Sequence, residues 1–238
     1  MQINKESDFY DEISPEQGAR EDRLGFIRKV YGILSTQLCL TFGAIAAVKA
    51  VPELNETMQS PAMAGLAMGL LIISVCIECA ILCCKSVARK TPTNYILLLI
   101  FTLCQAFVFA SICSHYPSSD VLTAAGMTAA VTVALTFYAC TTKTDFTICG
   151  GLFFILGMAL LCLMICSFVF SFAAWYHPFI SALLVVFYGL YLIYDTQLVA
   201  GGGQHELSYD DYIVGALLIY VDIMMLFLEL LKLFGDRS

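Results

Sequence analysis

Charge is scarce in this chain: 13% of its 238 residues are Asp, Glu, Lys or Arg, where a soluble domain carries about 25%. With 60% apolar residues, the composition excludes a soluble globular domain and implies a protein embedded in a lipid bilayer. Positive charge is scarcer still, 12 Lys and Arg against 19 Asp and Glu, for a formal net charge of −7. The basic footprint that nucleic-acid binding requires is therefore missing. The opening stretch MQINKESDFYDEISPEQGARED lacks the basic-then-apolar layout of a cleavable signal peptide. The first apolar span is thus expected to target the protein itself. Cysteine is plentiful, with 11 residues, but ligand pairs are not. Cys76 and Cys79 form a C-x-x-C without the second pair that a zinc site needs. Most of the other cysteines sit in apolar runs, where a free thiol behaves as a small hydrophobe. No cofactor is expected.

What the chain does have is apolar runs of membrane length. About 20 such residues cross the hydrocarbon core, and seven segments qualify: 27–50, 62–84, 94–114, 120–140, 149–172, 178–200 and 211–234. The breaks between them hold the prolines, glycines and charges that end helices, as in VPELNETMQSP and GGGQHELSYDD. The expected architecture is all-α, a seven-helix transmembrane bundle over 27–234, with an acidic tail at 1–26 and a short tail at 235–238. Arg20, Arg23, Arg28 and Lys29 lie before or at the start of the first span, Lys85, Arg89 and Lys90 follow the second, and Lys143 follows the fourth. The opposite loops hold only Lys49, so the positive-inside rule places the N-terminus in the cytosol. Asn55-Glu56-Thr57 then reads as a glycosylation acceptor on the luminal side. The last loop breaks the pattern, having no Lys or Arg, while Lys232 and Arg237 follow on the side where few cations are expected.

Two acids stand where acids are costly. Asp195 lies near the end of the sixth span and Asp222 inside the seventh. An aspartate at the centre of a membrane helix costs about 2.5 to 3.5 kcal/mol on insertion scales. Ser208 and Asp211 form an S-x-x-D capping box that predicts a helix start near Tyr209. From there Gly215, Asp222 and Glu229 recur every seven residues, so they share one stripe. Lipid would penalise that stripe, which predicts a seventh helix surrounded by the others. Tyr188, Tyr191 and Asp195 share a face of the sixth helix. At 1.5 Å per residue the two aspartates differ in depth by about 7 Å, within what helix tilt absorbs, so contact is permitted.

Other acids carry two readings each. Glu78, roughly 24 Å along the second helix, is either a third acid at the depth of Asp195 or a side chain snorkelling toward Lys85. Glu229 either lines an ion path or pairs with Lys232 three residues on. Glu206, Asp210 and Asp211 either concentrate cations at a cytosolic mouth or form a solvated acidic loop. Gly65 and Gly69, spaced G-x-x-x-G, predict close helix contact within the chain or between chains. Two carboxyls sharing a poorly solvated site cannot both ionise cheaply. Retaining one proton would hold their helices together, and losing it would leave hard oxygen ligands suited to transient calcium.

FIRKVYGILSTQL, RKTPTNYILLLIFTL, IYDTQ and HELSYDDYIVGALLIYVDIMMLFLELLKLFG resemble the transmembrane Bax inhibitor motif, or lifeguard, family and most of all its short-tailed Golgi anti-apoptotic members. The resemblance implies a calcium leak in Golgi or endoplasmic reticulum membranes that dampens cell death, with helix seven enclosed by the other six. It implies an aspartate pair acting as a pH-sensitive gate, and that pair maps onto Asp195 and Asp222. It also implies partners among Bcl-2 proteins and inositol trisphosphate receptors. Some bacterial members close the gate with an arginine from helix two, whereas the second span here holds Glu78 and no arginine. A non-conducting regulator, its aspartates tying two helices together, is the next reading. An intramembrane aspartyl protease also needs two carboxylates sharing a proton. Its G-x-G-D signature is absent, since Ile219, Tyr220 and Val221 precede Asp222, and a non-enzyme is expected.

Overall fold

A computed structural model describes residues 15–169 and 176–236, with side chains described over 18–163 and 176–236. The described residues fold as α-helices with one short 3-10 turn at Phe146–Cys149: α1 (Pro15–Ala50), α2 (Pro52–Met58), α3 (Pro61–Cys83), α4 (Lys85–Arg89), α5 (Thr93–Ser114), α6 (Ser118–Thr141), α7 (Gly150–Val169), α8 (Tyr176–Ala200) and α9 (Tyr212–Phe234). Seven of them are long and apolar enough to cross a membrane: α1, α3, α5, α6, α7, α8 and α9. The chain is an all-α polytopic membrane protein. The short α2 and α4 fill the turns on either side of α3.

Helix boundaries follow local chemistry. Pro61 opens α3 and the Ser60 hydroxyl caps it by accepting from Met63 N–H at 3.4 Å. Asn94, fully buried at the start of α5, donates to the Ala88 carbonyl at 3.0 Å and so ties α4 to α5. The helix of the first span, α1, begins at Pro15, well before the expected 27, with polar early turns. The expected capping box at Ser208 and Asp211 does not form. Helix α9 starts at Tyr212, three residues later than Tyr209, because the Asp211 carboxylate is bound by Arg89 and no longer caps the helix. Asn55 of the glycosylation motif sits inside α2, where its side chain accepts from Lys49 Nζ at 3.3 Å. The break AAWYH and Arg237 fall largely or wholly outside the described residues.

The seventh span occupies the middle. In its most apolar stretch 72% of residues are buried, against 11% for α3, and it packs on α1, α5, α6 and α8. Phe227 meets Phe42 of α1 at 5.4 Å and Phe109 of α5 at 6.4 Å between ring centroids, and Tyr220 meets Phe101 of α5 at 5.8 Å. Lipid tails are as apolar as these side chains, so close van der Waals contact and internal hydrogen bonds hold the bundle rather than escape from water. Outward-facing Met68, Ile72, Val133, Phe137 and Ile155 are exposed as a bilayer-facing surface requires.

Gly65 and Gly69 do not pack within the chain. A methyl group built on either would meet nothing within 4 Å, which corrects the expectation of close contact inside the bundle. The glycines that admit neighbours lie elsewhere. A Cβ at Gly215 would stand 3.0 Å from Val199 and 3.2 Å from Leu207, so this position lets α8 and the last loop close onto α9.

Candidate functional site

The close approach at Gly215 sets α8 against α9, and a turn or two further in their two aspartates meet. Asp195 and Asp222 are 3% and 4% exposed, and their carboxyl groups stand within hydrogen-bonding reach of each other. Ionised carboxylates only accept, so such a bond requires a proton on one of the pair. Among the described residues, no N–H or hydroxyl donor reaches Asp222 Oδ2. Both acids line a cleft of about 600 Å³, bounded by α3, α7, α8 and α9. Glu78 reaches the same cleft from α3, half-buried, and makes no ion pair with Lys85 or any other cation among the described residues. The sixth-helix face supplies Tyr188, Tyr191 and Tyr194 to the wall, Tyr188 within electrostatic range of Glu78, Asp222 and Glu229.

Of the other acids singled out in the sequence, Glu229, Asp211 and Glu206 lie beside cations. Glu229 is buried on α9 and accepts from Lys232 Nζ at 2.7 Å, the i, i+3 pair its spacing allows. Its second oxygen has no hydrogen-bond partner among the described residues. Asp211 takes a two-pronged contact from Arg89, Nε and Nη2 each at 2.8 Å, and Glu206 lies 3.8 Å from Arg23. These two carboxylates thus link the loop after α8 to α4 and α1. Among the described residues no three His, Cys, Asp or Glu side chains gather closely enough to hold a metal ion, so any ion held by Asp195 and Asp222 would take its other ligands from water or backbone.

Below the aspartates, the end of α8 is fastened by Arg23, which the sequence offered only as a charge, and by Gln197 and Asp145. Arg23 of α1 donates to the carbonyls of Leu198 at 2.8 Å, Ala200 at 3.2 Å and Leu207 at 2.7 Å. A guanidinium there satisfies carbonyls left open by the helix end and complements its negative dipole. Gly201, at φ +75°, makes room for it, since a Cβ would lie 2.5 Å from Arg23 Nε. Two residues beyond Asp195, Gln197 accepts from Phe146 N–H at 2.8 Å and donates to the Thr144 carbonyl at 3.0 Å. Asp145 closes the ring, accepting from Gln204 N–H at 2.7 Å and from the Thr147 hydroxyl at 2.6 Å. The Thr147 hydroxyl, followed by the Gln204 amide, holds the Asp145 carboxyl below the ordinary carboxylate range. The sequence carried one hint of this arrangement: three glycines after α8 mark a helix end whose carbonyls need a donor.

Comparison with known proteins agrees over almost the whole chain. A family model described as inhibitor of apoptosis-promoting Bax1 matches residues 23–238. Human protein lifeguard 3 is 38% identical over 223 residues, covering 92% of this chain and 71% of the relative. Mouse protein lifeguard 3 is 37% identical over 222 residues with the same coverage. Mouse protein lifeguard 4 is 33% identical over 213 residues, covering 88% of this chain and 84% of its own length.

Proposed function

Because this chain belongs to the Bax inhibitor and lifeguard family of membrane proteins, we propose that it is a pH-sensitive calcium leak of an intracellular membrane that restrains cell death, gated by Asp195 and Asp222. One observation carries the reading: two buried carboxyls on neighbouring helices, within hydrogen-bonding reach, at the floor of a cleft in the bundle. A single shared proton fastens α8 to α9. Its loss leaves two anions whose repulsion, on the order of 4 kcal/mol at 4 Å and an effective dielectric of 20, drives the helices apart. The freed oxygens are hard ligands of the kind that calcium accepts. Rising pH therefore opens the path and protonation closes it. Glu78 of α3 and Tyr188, Tyr191 and Tyr194 of α8 itself line the same cleft as the pair, and Glu229 nearby is countered by Lys232.

In this reading the membrane is that of the Golgi or endoplasmic reticulum, the N-terminus is cytosolic, and Bcl-2 proteins and inositol trisphosphate receptors are the partners through which store calcium acts on cell death. The test is calcium efflux from loaded vesicles containing the purified protein, titrated from acid to neutral pH. Wild type is expected to leak more as pH rises, and Asp195→Asn or Asp222→Asn to flatten the dependence. An unchanged pH profile in both variants would remove the pair as the gate. Loss of stability with full flux would assign the aspartates to holding two helices together.

A further inference from the structure

The cleft around the aspartates is larger and more aromatic than a path for a small hydrated ion requires. Its volume of about 600 Å³ falls in the range of sites for drug-sized molecules, about 300 to 1,000 Å³. One wall is a continuous aromatic cluster. Phe187 meets Tyr191 at 4.8 Å and Tyr188 at 5.5 Å, and Phe153 meets Tyr191 and Tyr194 at 5.4 Å each. Glycines on α7 seat these rings: a Cβ at Gly150 would stand 3.0 Å from the Tyr194 hydroxyl, and one at Gly157 would stand 3.2 Å from Phe187. The rings are therefore held in place between two helices.

The charge of this cavity is of one sign. Glu78, Asp195 and Asp222 enter it from three different helices, and none of the ion pairs among the described residues involves them. The three acids do not converge on a common point close enough to hold a metal ion. Asp222 is 4% exposed, lines the cleft and keeps an oxygen that no donor among the described residues reaches. Phe154, which lines the cleft, is also 67% exposed, so this wall of the cleft reaches the bilayer-facing surface. Carboxylates spread around a cavity, beside aromatic faces that attract cations, with access from the hydrocarbon, specify a ligand that is positive, bulky and apolar at once.

We propose that the cleft binds a lipophilic organic cation, an ammonium bearing apolar substituents, which enters from the bilayer between α3 and α7 and settles its charge among Glu78, Asp195 and Asp222 against the tyrosine wall. The inference rests on the leak reading for its consequence: an ammonium lodged there occupies the gate and stops calcium passing. Its recognition chemistry is independent of flux.

Binding of tetrabutylammonium to the full-length protein in nanodiscs, by equilibrium dialysis at neutral pH, tests it. Uncharged tributylphosphine oxide serves as a control for partition into lipid. Wild type is expected to bind the ammonium saturably and the phosphine oxide only in proportion to lipid. Glu78→Gln is expected to weaken binding about tenfold, equivalent to about 1.4 kcal/mol. Tyr191→Leu is expected to weaken it about fivefold, and Tyr191→Phe, which keeps the ring, less than twofold. Thermal unfolding midpoints establish that each variant is folded, and the Phe and Gln variants suffice if the Leu variant is not. Absence of saturable binding, or equal binding in wild type, Glu78→Gln and Tyr191→Leu, overturns the proposal. If the probe fails to bind while calcium efflux keeps its pH dependence, only this inference falls. If the probe binds while Asp195→Asn leaves the pH profile of efflux intact, the gate reading falls and the binding site stands.

Discussion

Tyr220 is among the largest fully buried side chains, and its hydroxyl meets the Thr41 hydroxyl at 2.8 Å across the contact between α9 and α1. Thr41 in turn donates to the Gln37 carbonyl one turn back, so each hydroxyl is satisfied away from water. Polar pairs of this kind between membrane helices are worth about 0.6 kcal/mol on average and up to about 1.7. Removing one partner leaves the other buried without its neighbour, which costs more than removing both. Tyr220→Phe is therefore expected to lower the unfolding midpoint in detergent modestly, by about 1 kcal/mol of stability. Thr41→Val added to it should cost less than Thr41→Val alone. Additive losses in that double-mutant cycle would show that the two hydroxyls do not act on each other. Asp195 and Asp222 are likewise a pair of buried polar groups on neighbouring helices.

At the scale of elements, the loop after α8 is held by contacts between segments far apart in the chain, and Asp145 is a carboxylate among them that lies outside the membrane spans. Its hydrogen bonds from Thr147 and Gln204 favour the ionised form and keep its carboxyl below the ordinary range, about 4 in an unfolded chain. A carboxyl depressed on folding contributes stability that is present above its unfolded value and lost as pH falls through its folded one. Hydrogen exchange at the Gln204 amide reads this locally. Its protection, corrected for intrinsic exchange, should be constant near neutrality and decline as pH is lowered below about 4. In Asp145→Asn it should be lower at neutral pH and lack that decline, while a parallel decline in the variant would place the titrating group elsewhere. This clasp was invisible in the sequence because Arg23, Asp145, Gln197 and Asp211 find their partners across 51 to 184 residues, and local spacing carries no record of such pairs. Asp211 even gave a misleading local signal, since S-x-x-D fits a cap until a distant arginine takes the carboxylate.

Across the whole molecule, the legible features were those that the bilayer imposes on single segments. Span length follows from the thickness of hydrocarbon, so the seven crossings were visible to within a few residues at most boundaries. The 215, 222 and 229 stripe pointed α9 inward because lipid does not accept a carboxylate there. Small residues gave no such direction, because glycine is tolerated against lipid and against a neighbouring helix alike. Gly65 and Gly69 carry the spacing of a helix contact yet face open space, whereas Gly215 is crowded by Val30, Val199 and Leu207. Adding bulk should separate the two kinds. Gly65→Leu with Gly69→Leu is expected to leave the unfolding midpoint in detergent unchanged or slightly raised, since a better helix former replaces glycine in the helix interior. Gly215→Leu must displace α8 and the last loop from α9, an overpacking that costs about 1 to 3 kcal/mol. That displacement also moves Val199, four residues from Asp195, so calcium efflux should lose part of its pH dependence as the two carboxyls separate. A Gly215→Leu protein with wild-type stability and an unaltered pH profile would mean that the approach of α8 to α9 at this glycine does not set the distance between Asp195 and Asp222.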